Sequence, residues 1–282
     1  FQGWKGTPFE GGIHQFCFVR WPAQLQAGRQ VDRIAANIDL APTVLDLCGV
    51  PKPQQVKFDG VSLAPLLRGQ PATWPDRVLC FQWHRGDVPG RYRAFAARSQ
   101  DWKLVQPLGV GEKWDGKTNF QLYDMAHDPL EMHDLAAQEP ECVAQLKAQY
   151  DAWFDEVTDT RDYSVPSRIF LGTAHENPVL LTRQDWRGPN ATWGVKGIGY
   201  WEVNVAAPSQ FQVRLWFAPL KADGEATFSC GRISARQPIK AGQEECVFRD
   251  VRLPSGPGRL EAVIKEGEKF LGVQYVEVER MD

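Results

Sequence analysis

Lys5 is the first residue in this chain with a chemical use to suggest. It stands in FQGWKGTPFEGGI between Gly3 and Gly6, ahead of Thr7, Pro8 and the pair Gly11-Gly12. Glycines at that density shape a turn, and an ammonium held on such a backbone suits an anion with several charged oxygens, sulfate or phosphate. A solvated lysine in an N-terminal turn would be written with the same residues, so the stretch alone leaves both readings open. A second cluster follows at FQWHRGDVP. There Trp83, His84 and Arg85 set a stacking ring, a titratable imidazole and a bidentate anion-binding fork at the end of a strand-like run. Substrate recognition and plain loop packing are the two readings of that cluster. The tripeptide Arg85-Gly86-Asp87 is too short to carry weight.

Other reactive types argue mainly by pattern. Cys17, Cys48, Cys80, Cys142, Cys230 and Cys246 form no C-x-x-C pair and have no histidine at ligand spacing, which speaks against zinc. Buried thiols are expected, with a Cys230–Cys246 disulfide left open for an oxidising compartment. Trp186, Trp193, Tyr200, Trp201 and Trp216 are dense enough for a carbohydrate-stacking face, yet strand alternation points most of them inward, so core packing is expected. Asn190-Ala191-Thr192 fits a glycosylation sequon. A net charge of -3 with scattered Lys and Arg gives no footprint for nucleic acid. No apolar run approaches the ~20 residues needed to span a bilayer.

The elements that must position these residues change character along the 282 positions. FCFVRW, Phe16 to Trp21, reads as a buried strand ended by Pro22. DLAPTVLDLCG places Leu40, Val44, Leu47 and Cys48 on one helical face, with Pro42 early and Gly49 as the stop. SLAPLLRG adds a small helical turn. VLCFQW, YRAFAARS, WKLVQP and FQLYDM then predict a short-stranded antiparallel sheet. Between Pro140 and Val157, apolar residues at spacings of three and four predict an amphipathic helix covering it. Beyond about residue 161 only alternating strands remain, which predicts a β-sandwich, jelly-roll-like. The expected division is 1–75, 76–160, a linker at 161–175, and 176–282.

GWKGTPFEGGI, a strand ending RWP, DRIAANIDLAPTVLDLCGV and FDGVSLAPLLRG, followed by LYDMAHDPLEMHDLA and a helix ending AWFDEV, together resemble the C-terminal portion of the sulfatase family. The resemblance covers about residues 1 to 157. It implies an alkaline-phosphatase-like α/β catalytic domain ending near residue 75, an antiparallel α+β subdomain, and hydrolysis of sulfate esters of small molecules or glycans. It further implies a formylglycine nucleophile made within C/S-x-P-S/A-R and a calcium ion on Asp and Asn or Gln side chains, both expected upstream of Phe1. The sequence is accordingly expected to be a C-terminal piece, inactive alone, of a periplasmic or secreted enzyme. Lys5 matches the family's sulfate-contacting lysine, while Trp83, His84 and Arg85 would rim the pocket. Phe9, His14 and Phe16 depart from the family's usual residues. SVPSRIFLGT, from Ser164 to Thr173, copies the serine-type nucleophile pattern, but follows Lys5 and leads into extended structure, so it is read as linker and first strand. Three rivals stand beside this reading: a carbohydrate-binding module, a purely structural accessory module, and a related phosphate or phosphonate ester hydrolase.

Overall fold

The computed structural model describes residues 1–70, 74–84, 86–109 and 112–282. Residues 1–164 and 165–282 form two compact units. In the first, three short helices precede the sheet: α1 (Glu10–Ile13), α2 (Leu40–Leu47) and α3 (Ala64–Leu67). A 3-10 turn, Asn37–Asp39, leads into α2, and Gly49 closes it at φ +67°, a left-handed angle that favours glycine. Two expectations fail in this region. Phe16 to Trp21 is irregular, with Phe16 to Arg20 exposed, Phe18 to 88%, and Trp21 half-buried, because no strand among the described residues offers its backbone a ladder partner. The apolar face of α2 likewise points outward: Leu40 and Val44 are exposed, while Pro42 and Thr43 are buried.

The sheet forms as the alternation predicts. β1 (Leu79–Gln82), β2 (Phe95–Arg98), β3 (Trp102–Gln106) and β4 (Gln121–Asp124) lie in chain order, all antiparallel. Alternate residues divide between two cores. Phe95, Ala97, Leu104 and Leu122 meet Leu146, Tyr150 and Phe154 of α4 (Pro140–Thr158). Ala96, Val105 and Tyr123 form the other face and pack with Phe9 and Ile13 of the Lys5 motif and with Phe81. The sheet is thus a wall with the long helix on one side and the N-terminal turn on the other. Phe95 and Tyr150 stack at 3.8 Å, and the Tyr150 hydroxyl donates to Gln82 Oε1 at 2.7 Å while accepting the Tyr92 N–H at 3.1 Å.

The second unit contains only strands: β5 (Ile169–Leu171), β6 (Val179–Thr182), β7 (Tyr200–Val205), β8 (Ser209–Trp216), β9 (Gly224–Cys230), β10 (Ile233–Ile239), β11 (Glu245–Leu253), β12 (Gly256–Glu266), β13 (Lys269–Gly272) and β14 (Tyr275–Arg280). One sheet runs β10-β9-β12-β7-β5, with β13 also on β12, and the other runs β11-β8-β14-β6. Both feed one core. Trp201, Val203, Phe228, Leu260 and Ile264 come from the first sheet, and Phe211, Val213, Leu215, Val276 and Val278 from the second. The stretch assigned to a linker ends inside this unit, since β5 pairs in parallel with β7. All six thiols are free. Cys230 and Cys246 sit on strands of different sheets, and Cys17 and Cys48 are exposed rather than buried.

Candidate functional site

Lys5 is exposed on a turn whose backbone is tightly specified. The Thr7 N–H donates to Trp4 O at 3.0 Å, the Thr7 hydroxyl donates to the same oxygen at 2.8 Å, and the Trp4 N–H donates to Thr7 Oγ1 at 3.1 Å. Gly3 and Gly6 take φ of +76° and +87° on either side of it. The double glycine has a different role. A Cβ on Gly11 would fall on the carbonyl oxygens of Gly3 and Gln2, and one on Gly12 on that of Thr7. Only bare Cα atoms let α1 lie against the turn, where the Gly11 N–H reaches Gln2 O at 2.8 Å. The lysine therefore projects from a fixed platform.

The platform is tied to the sheet by ions. Lys103, fully buried in β3, donates to Glu10 Oε1 at 2.9 Å and to Glu131 Oε1 at 2.7 Å. Glu131 Oε2 accepts the Glu10 N–H at 2.7 Å, and Glu10 Oε2 lies 2.8 Å from His14 Nδ1. The two carboxyls are pushed apart in acidity. Burial would raise Glu10, but the Lys103 charge and hydrogen bond, together with His14 and Arg98, outweigh it and hold this carboxyl below its ordinary value. At Glu131 burial prevails and the value rises. Sequence reasoning missed these residues; the available signal was Lys103 between Trp102 and Leu104 in a mostly apolar strand.

Asp39 anchors the α2 region. Its fully buried carboxylate accepts both terminal nitrogens of Arg77, at 2.7 and 2.6 Å, and the backbone N–H groups of Ala36 and Val61, each at 2.8 Å. Burial pushes its pKa up, but these donors outweigh that and leave it lowered.

Trp83 and His84 follow β1 and are half-buried. The Trp83 N–H donates to Ala94 O at 3.0 Å, so ladder pairing continues one residue past the strand. Burial first, and the charge of Arg93 second, lower the pKa of His84. Arg85 lies outside the described residues. Ser164 is exposed at the junction of the units, with its hydroxyl donating to Asp162 Oδ1 at 2.6 Å. In the second unit Trp201 is core, and Trp186 packs at its edge. Arg259 covers Tyr200, Arg214 covers Trp216, and Trp193 is 66% exposed. Among the described residues no cluster of three His, Cys, Asp or Glu could hold a metal, and no helix is long and apolar enough to cross a membrane.

Comparison with known proteins gives this geometry a context. Residues 5–156, over half of the chain, match the family model described as N-sulphoglucosamine sulphohydrolase, C-terminal. N-acetylglucosamine-6-O-sulfatase of Bacteroides thetaiotaomicron is 32% identical over 120 residues, covering 42% of this chain and 20% of that protein. Human steryl-sulfatase is 28% identical over 174 residues, covering 54% and 29%. A solved structure described as bound to its substrate D-glucosamine-2-N,6-O-disulfate is 25% identical, with TM-score 0.38, covering 52% of this chain and 29% of that one. The chain thus spans less than a third of these relatives.

Proposed function

Because this chain belongs to the family of N-sulphoglucosamine sulphohydrolase C-terminal regions, we propose that residues 1–164 form the C-terminal part of a sulfatase catalytic unit, with Lys5 contacting the sulfate ester. The carrying observation is the platform under Lys5, within the stretch that the family model matches, which the motif's own glycines and threonine hold in place. Amino-sugar and steryl sulfatases share with one another the sulfate ester rather than the group bearing it. A fixed ammonium serves that common part. Its charge would offset negative charge building on the sulfate oxygens as the ester bond breaks, a contribution larger in the transition state than in the ground state. Trp83 and His84, with Arg85, would rim the pocket and meet the alcohol portion, a sulfated glycan or small molecule.

Among the described residues no three His, Cys, Asp or Glu side chains gather to hold a metal, so no step is assigned to one here. The formylglycine nucleophile and the calcium ion belong to the part of the enzyme outside these 282 residues, within an alkaline-phosphatase-like α/β domain to which residues 1–75 contribute. The exposed Phe16, Phe18, Leu40 and Val44 support that division, being the apolar surface on which such a domain would close. A periplasmic or secreted setting accompanies the reading.

The test is turnover of a chromogenic aryl sulfate by the longer protein containing this sequence. Lys5→Ala is expected to lower kcat by about a hundredfold or more; a wild-type rate would remove Lys5 from the site. The 282-residue chain alone should show no turnover, and robust hydrolysis by it would overturn the placement of the nucleophile.

A second reading concerns residues 165–282 as a jelly-roll-like accessory β-sandwich that binds glycan. Its support is the exposed Trp193, on a loop fixed by the Arg183 guanidinium, which donates to the carbonyls of Trp193, Gly194, Gly272 and Val273. Glycan-array binding that survives Lys5→Ala and disappears with Trp193→Ala would support it. Binding indifferent to Trp193 would end it.

A further inference from the structure

Three motifs far apart in the chain, the double-glycine turn, the WKLVQ strand and the DPLEMHDLA loop, converge on one buried point. Lys103 has no exposed surface, the Glu131 side chain has none, and Glu10 keeps about a tenth of its own. Burying three charged groups is costly, and an apolar residue of Lys103's volume would fill β3 at less cost. Glu131 adds a second anomaly: its φ is +60°, a left-handed angle at which glycine would be unstrained. A glutamate is retained there against its backbone preference. Both costs are met where Glu131 takes the Glu10 N–H and the Lys103 ammonium together.

From Lys103 the physical chain to Lys5 is short. Lys103 holds the Glu10 carboxylate, and Glu131 holds the Glu10 backbone. The next residue, Gly11, donates to Gln2 O and lies against Gly3, while Gly12 lies against Thr7 and Trp4, the residues that close the turn. Any shift of α1 is transmitted to Lys5, because the contact between them is backbone on backbone and has no slack.

We propose that Lys103, clasped between Glu10 and Glu131, is a positioning residue for Lys5: it fixes the Glu10–Ile13 turn, and through it the direction of the sulfate-contacting ammonium, without touching the anion. This rests on the sulfate reading of Lys5 given above. Amide exchange, and the Lys5 ε resonance of the lysine-labelled longer protein containing this sequence titrated with inorganic sulfate, test the two parts separately. Lys103→Met should speed exchange at Thr7 and Gly11 by about tenfold or more while the β2–β3 ladder stays protected, and should weaken the response of Lys5 to sulfate. Lys103→Arg, which keeps the charge, should recover most of both. If Lys103→Met opens the whole sheet, Glu10→Gln carries the test, since it leaves a neutral Lys103–Glu131 pair buried, and the same local loosening is expected. Unchanged exchange at Thr7 and Gly11 in a folded variant, or equal loosening in Lys103→Arg, would overturn the proposal. Should the wild-type Lys5 resonance ignore sulfate, the sulfate reading fails, and exchange at Thr7 and Gly11 alone decides whether Lys103 holds the turn.

Discussion

Charged residues in the first unit do their work at a distance from the groups that look reactive. Asp39 is the clearest case, a carboxylate with four donors and no exposed surface. Its folded pKa is below the ordinary carboxylate value, so its contribution is fully present above that value and is lost as pH falls through the lowered one. Asp39→Asn should therefore destabilise the first unit at pH 7, by roughly 3 kcal/mol since Arg77 loses its partner, and the deficit should shrink in acid. Urea unfolding at neutral and acid pH would show this, and a pH-independent deficit would contradict it. Neither Asp39–Arg77 nor Glu10–Lys103–Glu131 was legible, because their partners lie 38, 93 and 28 residues apart. Sequence spacing encodes nothing of an ion pair closed by tertiary structure.

Elements were legible in proportion to how much of their partner the chain itself contains. The stripe Val143, Leu146, Tyr150, Trp153 and Phe154 meets a sheet built from neighbouring sequence, and α4 forms as the pattern predicts. FCFVRW carries an equally clear strand pattern but stays irregular, because a strand is completed only by a ladder that no described residue supplies. Along α4, Tyr150 joins helix to sheet through Gln82 and Tyr92. Tyr150→Phe keeps the stacking on Phe95 and removes only the hydroxyl. The expected cost is about 1–2 kcal/mol, read as a lower urea midpoint with an unchanged slope. No loss would show that the hydroxyl's bonds are replaced equally well by water.

At the scale of the molecule, each unit has its own core, and their surfaces differ. The alternation of the second unit left little to misread, since nearly every inward position found its place in one core. In the first unit the stretch before the sheet exposes Phe16 and Phe18 by more than four-fifths. Phe16→Ser with Phe18→Ser should leave the stability of this chain within about 0.5 kcal/mol while reducing self-association in light scattering. Under the proposed function, the same pair should destabilise a longer protein that contains this sequence, where these rings would be covered. Equal loss in both contexts would mean that these rings pack within the chain after all.

One strand, β3, serves both sides of the sheet at once: Leu104 faces the aromatic core under α4, while Lys103 and Val105 face α1. The arrangement depends on parity. A slip of β3 by one residue against β2 would invert every side chain on the strand, driving an ammonium into the Phe95–Tyr150 stack and a leucine between two carboxylates. Both faces therefore hold the register at once, and a change of length in the β2–β3 connection must be absorbed by the loop rather than passed on to the strand.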